Sequence, residues 1–196
     1  MKELTSRQKQ IINASINIIS NGGIQELTMK NLSNALGLSE PALYRHFESK
    51  QDILLTMLNT FKYENRIINR NILSEGNSGL VHLKEILTGI FNKFQQNPAI
   101  SAIIFSEELF QNESMLVNLI MEIMETNVSF FKEIIDEGQK DSSIRKDIAP
   151  EELSIIIMGS VRQLVTLWRL SGFGFNLIDS GKKLLSTLEL LTGSCR

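Results

Sequence analysis

Cysteine is nearly absent from this 196-residue sequence, with Cys195, next to last, as its one instance. A disulfide within the chain is therefore excluded, and so is a cysteine-built zinc site. Histidine is limited to His46 and His82. That is too few for a dedicated metal site unless carboxylates join them, and no metal or cofactor is expected. Proline is scarce too: Pro41, Pro98 and Pro150 leave long stretches free to run as helix. Long apolar runs are missing. Stretches such as Ala102-Ile103-Ile104-Phe105 and Ile155-Ile156-Ile157-Met158 fall far short of the roughly 18 residues of a membrane span. The N-terminal stretch carries Glu3, and Asn13 and Asn17 interrupt its apolar residues, unlike a secretory leader. These absences predict a soluble cytoplasmic protein with no membrane partner. No Ser/His/Asp or Cys/His set and no Gly-rich phosphate loop is visible, and His82 has no evident partner, so an enzyme is not expected.

What is present is helical patterning. Hydrophobic residues make up 42% and charged residues 21%, an ordinary globular balance that argues against disorder. The net charge of −2 is unevenly spread. Residues 1–70 hold nine Lys/Arg against six Asp/Glu, a net +3, and the rest hold eleven against sixteen, a net −5. A basic end on an acidic body suits a protein that presents one end to phosphates. No β-alternation lasts beyond a few residues, and the chain reads as all-α. Helices are expected at about 6–20, 28–36, 40–47, 49–73, 80–96, 99–110, 113–138, 150–171 and 176–192, punctuated by Gly, Asn and Pro. A boundary is expected near residue 48, between a small N-terminal domain at 1–48 and a larger one at 49–196.

Residues 27–47 carry the most information. Thr28 is a good N-cap, with Leu27 and Leu32 as a hydrophobic staple around it. Ser39 is a second N-cap, with Leu38 and Leu43 as its staple, and Pro41 sits in the first turn, where its missing N–H is harmless. Gly37 supplies the left-handed backbone of a tight turn. Two short helices joined in this way form a helix-turn-helix. Leu43 and Phe47 face inward, while Pro41, Ala42, Arg45 and His46 face outward and Tyr44 lies at the flank. Pro41 and Ala42 suit a thymine methyl, and Arg45 suits guanine or a phosphate. Tyr44 and His46 reach sideways to phosphates. Lys50, at the start of the next helix, would share a phosphate with its first N–H groups. The alternative is a helical regulator acting through protein–protein contacts without DNA.

The run from Leu27 to Leu54, above all Leu43-Tyr44-Arg45-His46-Phe47 followed by Lys50 and Leu54, strongly resembles the DNA-binding domain of the TetR family of repressors. The resemblance implies about nine helices, with a three-helix helix-turn-helix domain ahead of a C-terminal ligand-binding and dimerisation domain. It implies a homodimer on a double-stranded DNA operator, released by a small-molecule effector. Carried over, Glu40, Pro41, Ala42 and Arg45 would face bases, and Thr28, Tyr44, His46 and Lys50 would contact phosphates. Lys30 and Ser39 complete the DNA-binding set. Glu40 is awkward, since phosphate repels it unless it accepts from a cytosine amine or caps its helix.

In the body, the helix at 150–171 is apolar nearly all round, and burial against a second subunit would cover it. Ile157, Val161, Leu164 and Trp168, with Leu184, Leu188 and Leu191 of the last helix, are the expected dimer interface. Phe61, Ile90, Phe94, Ile104, Met121, Met124 and Trp168 are the candidate ligand-binding residues, suited to a largely hydrophobic or cationic effector. Glu107, Glu108, Glu122 and Glu125 could neutralise a cation.

Overall fold

A computed structural model describes residues 4–73, 76–105 and 114–193, with backbone alone at 65–70 and 72. Among them are nine α-helices: α1 (Ser6–Gly22), α2 (Met29–Leu36), α3 (Glu40–Tyr44), α4 (Lys50–Leu73), α5 (Gly79–Gln96), α6 (Pro98–Ile104), α7 (Ser114–Lys140), α8 (Pro150–Leu170) and α9 (Leu177–Thr192). A 3-10 turn, Ile24–Glu26, follows α1, and the only extended pairing among the described residues is one bridge between Ile144 and Gly193. The expected helix at 40–47 is shorter: α3 ends at Tyr44, and Arg45 and His46 form a turn that brings Phe47 inward. The helix expected to reach residue 110 ends at Ile104, and the remainder, with Glu107 and Glu108, lies outside the described residues.

The chain divides into two compact units. The first holds Met1–Tyr63 and Asn97–Ile120; the second holds Glu64–Gln96 and Met121–Arg196. The first half of α4, together with α6, thus clusters with the N-terminal helices.

In the first unit, α1 starts on a reciprocal capping box. Thr5 Oγ1 accepts from Gln8 N–H, and Gln8 Oε1 accepts from Thr5 N–H. Ile11, Ile12, Ser15 and Ile19 form its buried stripe. Thr28 Oγ1 accepts from Asn31 N–H at 3.0 Å, and Leu27 and Leu32 of the staple are both fully buried. Gly37 closes α2 at φ 63°, ψ 33°, a left-handed conformation that side chains disfavour. Ser39 holds the N-cap position of α3 without a side-chain hydrogen bond, unlike the expectation. Leu43 and Phe47 are buried, and each such side chain contributes about 1.5–3 kcal/mol. Ser49 Oγ accepts from Asp52 N–H and the Asp52 carboxylate from Glu48 N–H, which starts α4 as its sequence signals.

In the second unit, α5 packs on α9 and α9 on α8. Gly181 allows the close approach: a Cβ there would lie 2.4 Å from the Phe91 ring. The first N–H groups of α5 are capped from a distance. Gly79 N–H donates to Asp141 and Leu80 N–H to Ser143 Oγ. Trp168 meets Phe173 edge-on with centroids 4.7 Å apart.

The expected interface residues divide among buried, half-buried and exposed positions. Ile157, Val161 and Trp168 are buried in their own chain, as is Leu188 of α9, and Leu164 and Leu184 are half-buried. Ile157, Val161 and Trp168 lie with Leu153 and Val165 on the buried stripe of α8. The apolar side chains left outside are Ile155, Ile156, Leu167 and Leu170 (74% exposed) on α8, with Leu190 (85%) and Leu191 on α9. Leu191 alone of the expected interface set is exposed. With 21 residues, α8 is also, among the described residues, the one helix long and apolar enough to cross a membrane by length and composition. Its apolar residues are spread between polar ones rather than in one unbroken run, and its inner stripe is core.

Candidate nucleic-acid interface

All ten residues of the DNA-binding set lie in the first unit, and none is buried. Thr28 and Lys30 stand exposed at the start of α2. Ser39, Glu40 and Pro41 are exposed at the start of α3, Ala42 is half-buried, Tyr44 is 49% exposed and Arg45 is exposed at the C-cap. His46 is half-buried in the turn that follows, its N–H donating to Leu43 O at 2.8 Å. Leu32, Leu43 and Phe47 fill the opposite side. The short helix therefore presents polar, basic and aromatic groups outward over an aliphatic anchor, as the spacing predicts.

Lys50 departs from the simple picture of a free phosphate contact. Its Nζ donates to Ile24 O at 3.0 Å, across 26 residues. Burial lowers its pKa from the ordinary lysine value. The ammonium thereby joins the start of α4 to the 3-10 turn, using one of its three N–H donors.

Two further residues escaped the sequence reading. Asn31 Nδ2 donates to both the backbone and the carboxylate of Glu26. Gln8 Nε2 donates to His46 O at 3.3 Å. The Thr5-x-x-Gln8 spacing is a capping-box signature that could have singled out Gln8, but nothing local signals the bond to His46.

The ligand set is distributed across the chain. Phe61, buried, and Ile104, half-buried, belong to the first unit; Ile90, half-buried, and Phe94 and Trp168, both buried, belong to the second. Met121 and Met124 are not among the buried members of this set. Both are exposed on α7, where Ile120 and Ile123 take the inward positions. Glu122 and Glu125 are exposed beside them.

Residues 11–57 match the model of the tetR family of bacterial regulatory proteins, and residues 64–192 match the C-terminal region of YsiA-like proteins. The chain belongs to the TetR family of transcriptional regulators. The N-terminal match carries the DNA-binding helix-turn-helix, and the C-terminal match the ligand-binding region. Along its length the chain is 25% identical to the fatty acid metabolism regulator protein of Bacillus subtilis, over 97% of this chain and 96% of that one. The fold is that of the fatty acid degradation regulator FadR from Bacillus halodurans, with a TM-score of 0.83 at 19% identity over 96% of this chain and 97% of that one. It also matches FadR from Bacillus subtilis in complex with stearoyl-CoA, with a TM-score of 0.73 at 21% identity over 92% and 96% of the two chains. These relatives are transcriptional regulators rather than enzymes.

Proposed function

We propose that this protein is a repressor that binds a palindromic operator as a homodimer in the cytoplasm and is released by a long-chain acyl-coenzyme A thioester. The observation that carries the effector class is the end-to-end similarity to the fatty acid metabolism regulator of Bacillus subtilis. The buried aromatic residues Phe91, Phe94 and Trp168 suit an acyl chain better than a cation. In this reading residues 1–48 read DNA, and residues 49–196 bind the effector and dimerise. Pro41, Ala42 and Arg45 meet bases, Glu40 discriminates at the helix start, and Thr28, Lys30, Ser39, Tyr44 and His46 meet the backbone. The outward row Ile156, Leu167 and Leu170 with Leu190 and Leu191 forms the dimer contact, since a lone chain leaves it in water. Two reading helices then enter successive major grooves about 34 Å apart.

The effector releases DNA only to the extent that it prefers the conformation that cannot bind. A duplex enriched by the protein from a random pool, labelled for fluorescence anisotropy, tests this. Stearoyl-CoA should lower affinity for that duplex while free coenzyme A leaves it unchanged. Constant affinity across acyl-CoA thioesters that calorimetry shows to bind would sink the switch. Failure to enrich any duplex would favour the protein-binding alternative.

A further inference from the structure

We propose that Gln8, outside the helix-turn-helix, is the positioning residue that sets how α3 is presented to the bases, through its hydrogen bond to the His46 carbonyl. The inference rests on the DNA-binding reading.

Helix α3 is poorly held by its own sequence. It has five residues, too few for cooperative helix formation, and Ser39 gives it no side-chain cap. Leu43 and Phe47 fix its depth, but apolar packing is non-directional and leaves its pitch and rotation weakly specified. A directional contact is needed at its far end. There the chain has turned, with His46 and Phe47 N–H both donating to Leu43 O. The His46 carbonyl receives Gln8 Nε2 from α1, 38 residues away.

The choice of glutamine follows from its two partners. Thr5 N–H can only donate, so it requires the Gln8 oxygen, at 3.1 Å. The His46 carbonyl can only accept, so it requires the Gln8 nitrogen. These partners also settle the orientation of the amide. A carboxylate serves Thr5 alone, and an ammonium serves His46 alone. Gln8 thus couples the start of α1 to the end of α3. Arg45 lies immediately before His46 and Tyr44 two residues before it, so a tilt at this carbonyl moves the side chains assigned to the operator.

Two opposite variants separate the bonds. Gln8→Glu keeps the Thr5 acceptor and loses the donor to His46. Gln8→Lys keeps a donor for His46 and loses the acceptor. Each is measured by anisotropy on the duplex that the wild-type protein enriches from a random pool and on a scrambled duplex. The readout is the ratio of the two dissociation constants, in which any general charge effect cancels. Loss of one hydrogen bond's worth of orientation predicts that the ratio falls about three- to ten-fold in Gln8→Glu. It should stay within about two-fold of wild type in Gln8→Lys, given that the directed bond persists. A purely structural role would lower the melting temperature and leave the ratio alone. An unchanged ratio in Gln8→Glu, or an equal fall in both variants, overturns the inference while the DNA-binding reading stands. Should Gln8→Glu not fold, a retained ratio in Gln8→Lys supports the tether and a fall overturns it. A wild-type protein that enriches no duplex overturns the DNA-binding reading and this inference with it.

Discussion

Helix α3 has five residues and α8 has 21, and they leave opposite kinds of surface uncovered. On α3 the exposed groups are Glu40, Pro41, Tyr44 and Arg45, a face that water or nucleic acid satisfies. On α8 the exposed groups include Ile155, Ile156, Leu167 and Leu170, a face that only another apolar surface satisfies. The inner sides differ as well. Two buried side chains, Leu43 and Phe47, hold α3, and a directional bond from Gln8 of α1 to the His46 carbonyl just past its end supplements them. A stripe of Leu153, Ile157, Val161, Val165 and Trp168 holds α8, with an ion pair from Lys132 of α7 to Glu151 near its start.

The sharpest way to break this contrast is to remove the small anchor. Leu43→Ala should destabilise the protein by about 2–5 kcal/mol, measured by urea unfolding, because the cavity lies under a helix with little else to hold it. A loss below about 1 kcal/mol would show that α3 does not depend on that anchor. Next comes the outward row of α8. Leu167→Glu together with Leu170→Glu should weaken self-association about 30-fold or more in sedimentation, with the melting temperature of the lone chain nearly unchanged. An unaltered association constant would move the dimer contact elsewhere.

A smaller effect tests the remote cap of α5. Burial acts to raise the Asp141 pKa, but hydrogen bonds from Ser143 and Gly79 outweigh it and hold the carboxyl below its ordinary value. A carboxylate depressed in the folded state stabilises above its unfolded pKa, and that stability is lost as pH falls through the folded pKa. Asp141→Asn should therefore cost about 1 kcal/mol at neutral pH, with the gap to wild type closing as pH falls below the carboxylate range. A gap that persists in acid would deny the carboxylate its role. The smallest effect concerns Lys50. If its ammonium serves the Ile24 carbonyl alone, Lys50→Gln changes the slope of log affinity against log salt by much less than the roughly 0.9 expected of a lost phosphate contact. A full loss of that size would return Lys50 to the phosphates.

The reading end was largely legible because its signals are local. Thr28 caps a helix whose N–H groups lie three residues away, Leu27 and Leu32 straddle that cap, and Gly37 answers a backbone conformation at a single residue. Such features depend on neighbours in the chain, and a sequence displays its neighbours. The body was legible in outline only. Because α8 is apolar nearly all round, its periodicity does not separate the inward Ile157 from the outward Ile156. The exposure of Met121 and Met124 was not legible for the same reason, since a methionine suits either side of a helix like α7.

By itself the sequence of this chain determined that it is all-α, that it ends its second helix at Gly37, and that it carries a helix-turn-helix over residues 28–47. These follow from propensity, capping and spacing within a few residues. The tertiary structure alone decided which face of α8 is core, that Lys50 reaches Ile24, that Asp141 caps α5 from 62 residues away, and that Gln8 holds the carbonyl of His46. Each joins groups far apart in the chain, and such partners are selected by the packing of whole helices, which no local pattern encodes.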